Sequence, residues 1–572
     1  MRERRWVFAA SAREAGARLA LALNLSPLTG ALLANRGVTD PAEARLFLKP
    51  ELTGLIDPLK FEGMKTAVDR LERAVRGNEK IGIFGDYDVD GTSGTAILSK
   101  LLSLLGNKPS YKVPHRQTDG YGLNAGAVEA FAAEGVKVLV TIDCGTNDVE
   151  EVGLAVERGM DVIVLDHHEP AAGIAPAHAI VNPKMPGSTY GFTGICSAGI
   201  SFKTAWALGE RMGAKKREGF EGFILDAMAL AALGTVADVC PLVGENRVFV
   251  KYGLDALRAC KGKGMRALLE IARVEDKPLE TFDISFKLAP RLNALGRIGT
   301  AMDCVELLVG EDEARIAEIV TLMEKSNKGR KGIEDEMFQQ ACAQVESMAP
   351  DAPALVVADE RWHVGVVGIV AAKLVDKYYR PSFVMAIENG IARGSARSID
   401  GLALHEAMNA CSELLETHGG HAMAAGLSLK TENLDAFRRK MEKVAGKTLR
   451  PEHFTPRLDV DEEVTVGQLT KAAVRELERL APHGPGNPVP TLVASRVKVA
   501  AEPKLMGKKS DHLSFYVKDQ GPSLKAVGFG MGALFDPIRK ARTVSIAFTP
   551  QINAWNGYEN VELMIKDVKV DE

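Results

Sequence analysis

Three times in its first third, the chain runs through an apolar segment of strand length and stops on an aspartate. IGIF (81–84) leads into GDYDVDG, VKVLVTID (136–143) into CGTND, and MDVIVLD (160–166) into HHEP. Helical stretches such as TAILSKLLSLLG separate these runs. Strands alternating with helices predict a parallel sheet with right-handed crossovers. Ligands bind such sheets at the carboxyl ends of the strands. The pattern therefore brings an aspartate to the ligand edge on each of three strands.

The rest of the chain has a different rhythm. With 572 residues it is too long for one core, and several domains are expected. Residues 1–75 read as an N-terminal helical segment, with Thr39-Asp40-Pro41 opening one helix, and Gly77-Asn78 closes the helical stretch before the first strand. Residues 76–310 read as the α/β parallel-sheet domain, mostly helical over 196–275. Residues 311–350 form a polar connector helix charged on both faces. Residues 351–450 read as a smaller α/β domain: the strand ALVVA, the helix HVGVVGIVAAKLVDKYY, a hairpin turning at Asn389-Gly390, a further helix, and the loop HGGHAMAAG. In 451–572, HGPGNPVP (483–490) marks a boundary or rigid loop. The short alternating segments LSFYVKD, LKAVGFG, TVSIAFTP and VELMIKDV then predict a small β-barrel or sandwich.

Composition narrows the function classes. Hydrophobic residues at 46% and charged residues at 26% describe an ordinary globular chain. A formal net charge of −4 argues against coating duplex DNA by bulk charge and leaves room for a local basic groove. The seven cysteines are scattered without a C-x-x-C pair, as in reduced cytoplasmic proteins. Cys144 and Cys240 flank acidic loops, lack a partner cysteine at metal spacing, and read as packing residues. The charged N-terminus has no signal-peptide run, and no apolar stretch approaches the roughly 20 residues of a membrane span. Gly507-Lys508-Lys509-Ser510 resembles the end of a P-loop, but the earlier glycine falls at Glu502, so nucleoside-triphosphate hydrolysis is not expected.

The chemistry lies in carboxylates and imidazoles. Asp86, Asp88 and Asp90 share the first strand-end loop, Asp143 ends the second strand, and Asp166, His167 and His168 end the third. Asp238 follows a helix in TVADVCP. A single aspartate in such a loop is usually a helix cap. Neighbouring parallel strands lie about 4.8 Å apart, so these loops can converge. Converging carboxylates repel unless a cation neutralises them. Mixed Asp and His donors suit Mn²⁺, and Asp with water also suits Mg²⁺. Two such ions about 3.5–4 Å apart serve phosphodiester hydrolysis. His167 and His168 are adjacent and point apart, so one is expected on a metal and the other on the phosphate or as an acid.

GDYDVDGTS, TIDCG, LDHHEP and VADVCPL resemble, in order, the four motifs of the DHH phosphoesterase superfamily. HGGHAMAAG resembles the glycine-histidine signature of its associated second domain, the DHHA1 type. APRLNALGR (289–297), HVGVVGIVA (363–371), GSARS (394–398) and HGPGNPVP are similar to the single-strand 5′→3′ exonucleases of that superfamily. The long connector and a C-terminal region of OB type extend the likeness to nearly the whole chain.

The resemblance implies roles at matching positions. Asp88, Asp90, Asp143, His167 and Asp238 would ligate two divalent ions, Mn²⁺ or Mg²⁺, with Asp143 and Asp238 as candidate bridges. His168 would meet the scissile phosphate, and Asp86 would be a ligand or its outer partner. His421 would hold a phosphate oxygen, with Gly419 and Gly420 allowing close backbone approach. Arg116, Ser395 and Arg397 would form the pocket for a terminal 5′-phosphate, and Arg291, Asn293 and Arg297 would hold the strand backbone. In the barrel, Tyr516, Trp555 and Tyr558, with Lys504, Lys508, Lys509 and Lys525, are candidates to stack bases and track phosphates, whereas Phe515 and Phe529 are expected in the core.

The implied function is single-stranded DNA exonucleolysis from the 5′ end, in repair and recombination, in the cytoplasm. A single-strand-binding protein and a helicase are the implied partners, with no membrane. A DHH-type phosphodiesterase of short oligoribonucleotides or cyclic dinucleotides is the alternative enzyme, although it needs no guiding barrel. A catalytically dead binding subunit would be free to lose one of the acidic residues that are all present here.

Overall fold

The computed structural model describes residues 3–571 except 11, 116–118, 172, 299, 349–350 and 556. The chain forms two compact units, one of residues 9–326 with 461–572, the other of residues 1–8 with 327–460.

In the larger unit, β1 (Ile81–Gly85), β2 (Ser110–Lys112), β3 (Val138–Ile142), β4 (Asp161–Leu165) and β5 (Ala179–Val181) form an all-parallel sheet in the order β2-β1-β3-β4-β5. Both faces are covered, which is why β1, β3 and β4 read as continuous apolar runs rather than alternating ones. Ile81, Ile83, Val140, Ile142 and Leu165 face the main core, while Phe84, Leu139, Val162 and Val164 face a second core. Three helices of the main core matter for the site: α1 (Val89–Leu104), α2 (Ser197–Arg211) and α3 (Phe220–Ala237). By length and composition α3 could cross a bilayer, which qualifies the expectation drawn from the sequence; here its apolar residues, Ala229 to Leu233 among them, are buried in that core. α4 (Gly244–Ala259) follows after a short turn.

A 36-residue helix, α5 (Glu313–Met348), begins with Ile316, Ile319 and Met323 in the main core and ends with Met337, Ala341 and Val345 in a core of the smaller unit. There, β6 (Leu355–Asp359), α6 (Val367–Tyr378), β7 (Ser382–Glu388), β8 (Ile391–Arg397), β9 (Thr417–Gly420) and β10 (Ala424–Lys430) build a mixed sheet in the order β9-β10-β8-β7-β6. The β7–β8 turn has positive φ at Asn389 (51°) and Gly390 (77°), as a two-residue hairpin requires. The HGGHAMAAG segment, expected to be a loop, is instead the β9–β10 hairpin, with His421 to Met423 as its turn. Residues of low strand propensity pair there because β8 offers β10 an edge. The N-terminal strand Arg5–Phe8 pairs in parallel with Arg457–Val460.

The C-terminal region is a closed five-stranded barrel of β11 (Leu492–Met506), β12 (His512–Lys518), β13 (Leu524–Gly528), β14 (Thr543–Trp555) and β15 (Tyr558–Val570), closed by pairing of β11 with β14. Closure removes the sheet edges. The helices Arg13–Leu23, Pro27–Asn35 and Pro41–Leu48 share this barrel's core, through Leu19, Leu32, Leu33 and Phe47. Phe515 is buried as expected, but Phe529 is 60% exposed just beyond β13, its ring packed edge-on against His512. It joins Tyr516 and Tyr558 on the outer surface, where an aromatic ring can meet a base.

Candidate active site

Sheet register creates the site. Gly85 pairs with Ile142, Ile142 with Leu165, and Leu165 with Val181. The ladder continues one residue further, since the amides of Asp86, Asp143 and Asp166 donate to the carbonyls of Ile142, Leu165 and Val181 at 3.0–3.1 Å. Three aspartates on consecutive strands thus stand in a row at the carboxyl edge.

The carboxylates of Asp88, Asp90 and Asp143 are held from behind. Asp88 caps α1, its Oδ1 accepting from the amides of Asp90 (2.8 Å) and Gly91 (3.1 Å). Gly91 lets the helix start against the strand end, because a Cβ there would lie 2.5 Å from the Asp86 carbonyl oxygen. Asp90 reaches across to the start of α2, accepting from the amides of Ser197 (2.7 Å) and Ala198 (2.9 Å). The Ser197 hydroxyl donates to Asp143 Oδ1 at 3.0 Å. Asp143 itself sits at φ 66°, a left-handed conformation costing a non-glycine residue roughly 1–3 kcal/mol when held by its surroundings.

The side chains converge, and His167 and His168, expected to point apart, have ring centroids 4.7 Å apart and share a donor set. Nε2 of His167 lies 3.2 Å from Asp143 Oδ1, 3.7 Å from Asp238 Oδ2 and 3.9 Å from Asp90 Oδ2. Donor atoms fall within 4.8 Å of one another in three sets: Asp90, His167 and Asp238; Asp143, His167 and His168; and Asp86, Asp88 and Asp143. Asp143 and His167 each belong to two sets. Asp238 belongs to one.

The electrostatics are those of a cation site. Burial, then the charges of Asp90, Asp88, Asp86 and Asp238, push the Asp143 carboxyl far above the usual range. Burial and Asp90 raise Asp88, and burial with Asp90 and Asp88 pushes Asp238 up to about 7. Among the described residues, no lysine or arginine pairs with Asp88, Asp90, Asp143 or Asp238. Burial lowers the His167 pKa, favouring the neutral imidazole that binds metals. A set of hard oxygens with one imidazole, crowded and without a counter-charge, fits two divalent cations.

Asp166 works differently from its neighbours in the row. Its Oδ1 accepts from His168 Nδ1 (2.8 Å) and from the amides of His167 (2.8 Å) and His168 (3.2 Å), and its Oδ2 accepts from Thr146 N (3.1 Å). Burial opposes its ionisation, yet these hydrogen bonds, His168 foremost, hold it well below the ordinary carboxylate range. Reciprocally, Asp166 raises His168 against its burial. The Tyr121 hydroxyl donates to the Asp143 carbonyl oxygen at 2.8 Å and lies 3.0 Å from His168 Nδ1. Sequence reasoning gave no role to Asp166, Tyr121 or Ser197. Asp166 was visible as the first residue of Asp-His-His, whereas a lone tyrosine and serine carry no spacing signal.

In the smaller unit, Ser395 and Arg397 project from β8 toward the first turn of α6. A Cβ on Gly368 would lie 3.2 Å from Ser395 Oγ and 3.3 Å from Arg397 Nη2. Arg397 Nη1 donates to Ser395 Oγ (2.9 Å) and to the Ala396 carbonyl (2.8 Å). Its guanidinium is lowered by burial and, among the described residues, pairs with no carboxylate. His421 and Gly419 are exposed, and Gly420 has φ 136°.

The remaining predicted residues are less telling. Arg291 is committed to Glu324 (2.7 Å) and the carbonyls of Lys287 (2.8 Å) and Ile271 (3.3 Å). Asn293 is half-buried on the helix Ala289–Ile298. Arg116 and the side chains of Arg297 and Trp555 lie outside the described residues.

Crowded strand-end carboxylates joined by a histidine pair serve phosphoester hydrolysis, and the fold that carries them is of the DHH class: residues 80–232 match the N-terminal domain of the DHH family and 351–447 the DHHA1 domain. Residues 460–567 match the RecJ OB domain. The chain is 38% identical to the single-stranded-DNA-specific exonuclease RecJ of Bacillus subtilis over 96% of its own length and 69% of that protein's. It is 34% identical to the enzyme of that name from Dickeya dadantii, over 95% and 96%. The crystal structure of Thermus thermophilus RecJ in complex with Mn²⁺ superposes with a TM-score of 0.85 at 30% identity, covering 100% of this chain and 80% of that one. The chain belongs to the RecJ family.

Proposed function

We propose that this chain is a metal-dependent exonuclease that hydrolyses single-stranded DNA from its 5′ end to 5′-mononucleotides, in DNA repair and recombination. One observation carries the reading: the buried carboxylates of Asp90 and Asp143 and the half-buried one of Asp238 meet His167, and Asp88 shares a donor set with Asp143, with no basic side chain among the described residues to balance them. Those five residues, with Asp86 beside them, would hold two divalent ions, Mn²⁺ or Mg²⁺. The ions supply Lewis acidity and lower the pKa of bound water.

The chain's own groups do the rest. Asp90 and Ser197 fix the carboxylates against the start of α2, so the donor set is pre-organised. His168, held by Asp166, presents its imidazole to the scissile phosphate. Ser395 and Arg397 take the terminal 5′-phosphate through a guanidinium fork. That end-group recognition gives the reaction its polarity. His421 and the flanking glycines contribute a hydrogen bond to a phosphate oxygen. Tyr516, Phe529 and Tyr558 on the barrel stack bases of the incoming strand. The same reading puts the chain in the cytoplasm, supplied with single strands by a helicase and a single-strand-binding protein.

The test is incubation with Mn²⁺ and single-stranded DNA labelled at its 3′ end, beside a matching RNA and a blunt duplex. A shrinking ladder on single-stranded DNA alone is expected. Cleavage confined to short RNA oligomers or cyclic dinucleotides would replace this reading with the small-substrate one.

A further inference from the structure

The HGPGNP segment (483–488) takes no part in the chemistry above, yet it lies against the turn that carries Asp238. That turn, residues 238–243, joins α3 to α4 and contains Val239 at φ 59°. A β-branched residue in the left-handed region is strained, and it persists only where its surroundings over-determine it.

Its own helix supplies part of that hold, since Val239 lies in the cap of α3, where the Val239 amide donates to the Val236 carbonyl (3.3 Å) and the Cys240 amide to the Thr235 carbonyl (3.1 Å), and the 483–487 loop holds the far end of the turn. The Leu242 amide donates to the Pro485 carbonyl at 2.7 Å. Gly484 allows that approach, since a Cβ there would stand 2.7 Å from Leu242 Cδ1. A Cβ on Gly486, whose φ is 72°, would stand 3.3 Å from Pro241 Cβ. The loop is itself rigid. Gly484 and Asn487 exchange backbone hydrogen bonds at 3.0 Å, and the buried Asn487 side chain donates to the carbonyls of Leu480 (2.7 Å) and Pro482 (2.9 Å). Thr281 Oγ1 donates to the His483 carbonyl at 2.7 Å.

Arg247, on α4 just after the turn, locks the stretch that leads into the loop. Its buried guanidinium donates to the carbonyls of Ala481 (2.7 Å), Pro482 (3.2 Å) and Arg479 (3.3 Å), and to that of Phe47 (2.7 Å). Among the described residues no carboxylate pairs with it; carbonyls just past the helix Lys471–Glu478 and in the last turn of Pro41–Leu48 supply the negative ends of two helix dipoles instead.

We propose that the 483–487 loop is a positioning element for the metal site: it buttresses the strained 238–243 turn and so holds the Asp238 carboxylate in its ligating place. The inference rests on the reading of Asp238 as a metal ligand. Outer partners of metal ligands change affinity by about 10–100-fold when removed, and the buttress acts through the backbone of the turn in the same way.

Mn²⁺ binding to the whole protein, followed by the electron paramagnetic resonance of free Mn²⁺, tests it. Gly484→Val pushes the loop off Leu242, and Thr281→Val releases it from behind. Both are expected to raise the Mn²⁺ dissociation constant about tenfold, with kcat recovered at saturating Mn²⁺, whereas Gly222→Ala, in open space on α3, changes nothing. Wild-type Mn²⁺ affinity in a folded Gly484→Val protein overturns the proposal, even if its Tm falls. If Gly484→Val does not fold, Thr281→Val decides by the same criterion. Asp238→Ala separates the two failures: should it bind Mn²⁺ as the wild type does, the ligand assignment itself is wrong.

Discussion

Asp166 Oδ1 accepts a hydrogen bond from His168 Nδ1 at 2.8 Å, so one aspartate of the strand-end row orients an imidazole while its neighbours in the row, Asp86 and Asp143, share a donor set with Asp88. The same oxygen takes the amides of both histidines, which fixes where the pair leaves the strand. Replacing Asp166 by Asn keeps the shape and weakens the hold on His168. A fall in kcat of about 10–100-fold is expected, with the Mn²⁺ requirement unchanged. His168→Ala should cost more, about 10²–10⁴. Steady-state rates on a labelled single strand at several Mn²⁺ concentrations check both.

Arg397 is a half-buried cation whose described partners are Ser395 Oγ and one carbonyl, and the proposed function gives it the terminal 5′-phosphate. Arg397→Ala should erase the preference for 5′-phosphorylated over 5′-hydroxyl DNA, and Arg397→Lys should not restore it, because an ammonium lacks the planar fork. Competition between the two substrates in one reaction measures this directly. Equal discrimination in wild type and Arg397→Ala would place the end pocket elsewhere.

The raised carboxyls of Asp88, Asp143 and Asp238 tie metal binding to pH. A folded-state pKa above the unfolded value means that the metal-free fold holds protons the unfolded chain would release. The part of its stability that these three groups contribute is therefore greatest below the ordinary carboxylate range and declines as pH rises toward 7, where Asp238 ionises. Mn²⁺ replaces those protons. The Tm gain on adding Mn²⁺ should accordingly grow between about pH 5 and pH 7, as thermal scans in paired buffers would show. A gain independent of pH contradicts the assignment.

Beneath α2, the buried ammonium of Lys203 bonds Glu245 and the Ile56 carbonyl, and Tyr190 donates to the same carboxylate. Glu245→Gln leaves that ammonium without its counter-charge and should destabilise the larger unit by about 3–5 kcal/mol. Pairing Lys203→Met with Glu245→Leu should recover most of the loss. Trp206, whose ring lies 5.1 Å from Lys203 Nζ, reports the transition in urea by its fluorescence.

What could be read without coordinates was what is local. Asp86, Asp143 and Asp166 were legible because each ends a continuous apolar strand, and parallel register alone brings strand ends together. The connector helix and the Asn389-Gly390 hairpin were equally plain. Contacts between distant segments were not. The bonds from the Ser197 and Ala198 amides to Asp90 span more than a hundred residues, and no spacing rule anticipates them. The helices Arg13–Leu23 to Pro41–Leu48 are marked by local turn signals, but such signals do not say that the helices will share the core of a barrel at the other end of the chain. The strand Leu492–Met506 was hidden by its charges and Pro503, which its bulged pairing accommodates. Phe529 was expected inside because aromatics usually are, and it lies outside just past its strand's last residue.

The most direct test is the rate at which Asp143→Ala releases mononucleotides from single-stranded DNA in saturating Mn²⁺. Asp143 is shared by two of the three donor sets, so its loss should disable both ion positions and lower the rate by about a thousandfold or more. A folded Asp143→Ala protein that works within about tenfold of wild type would mean that the strand-end row is not where the phosphodiester is cut.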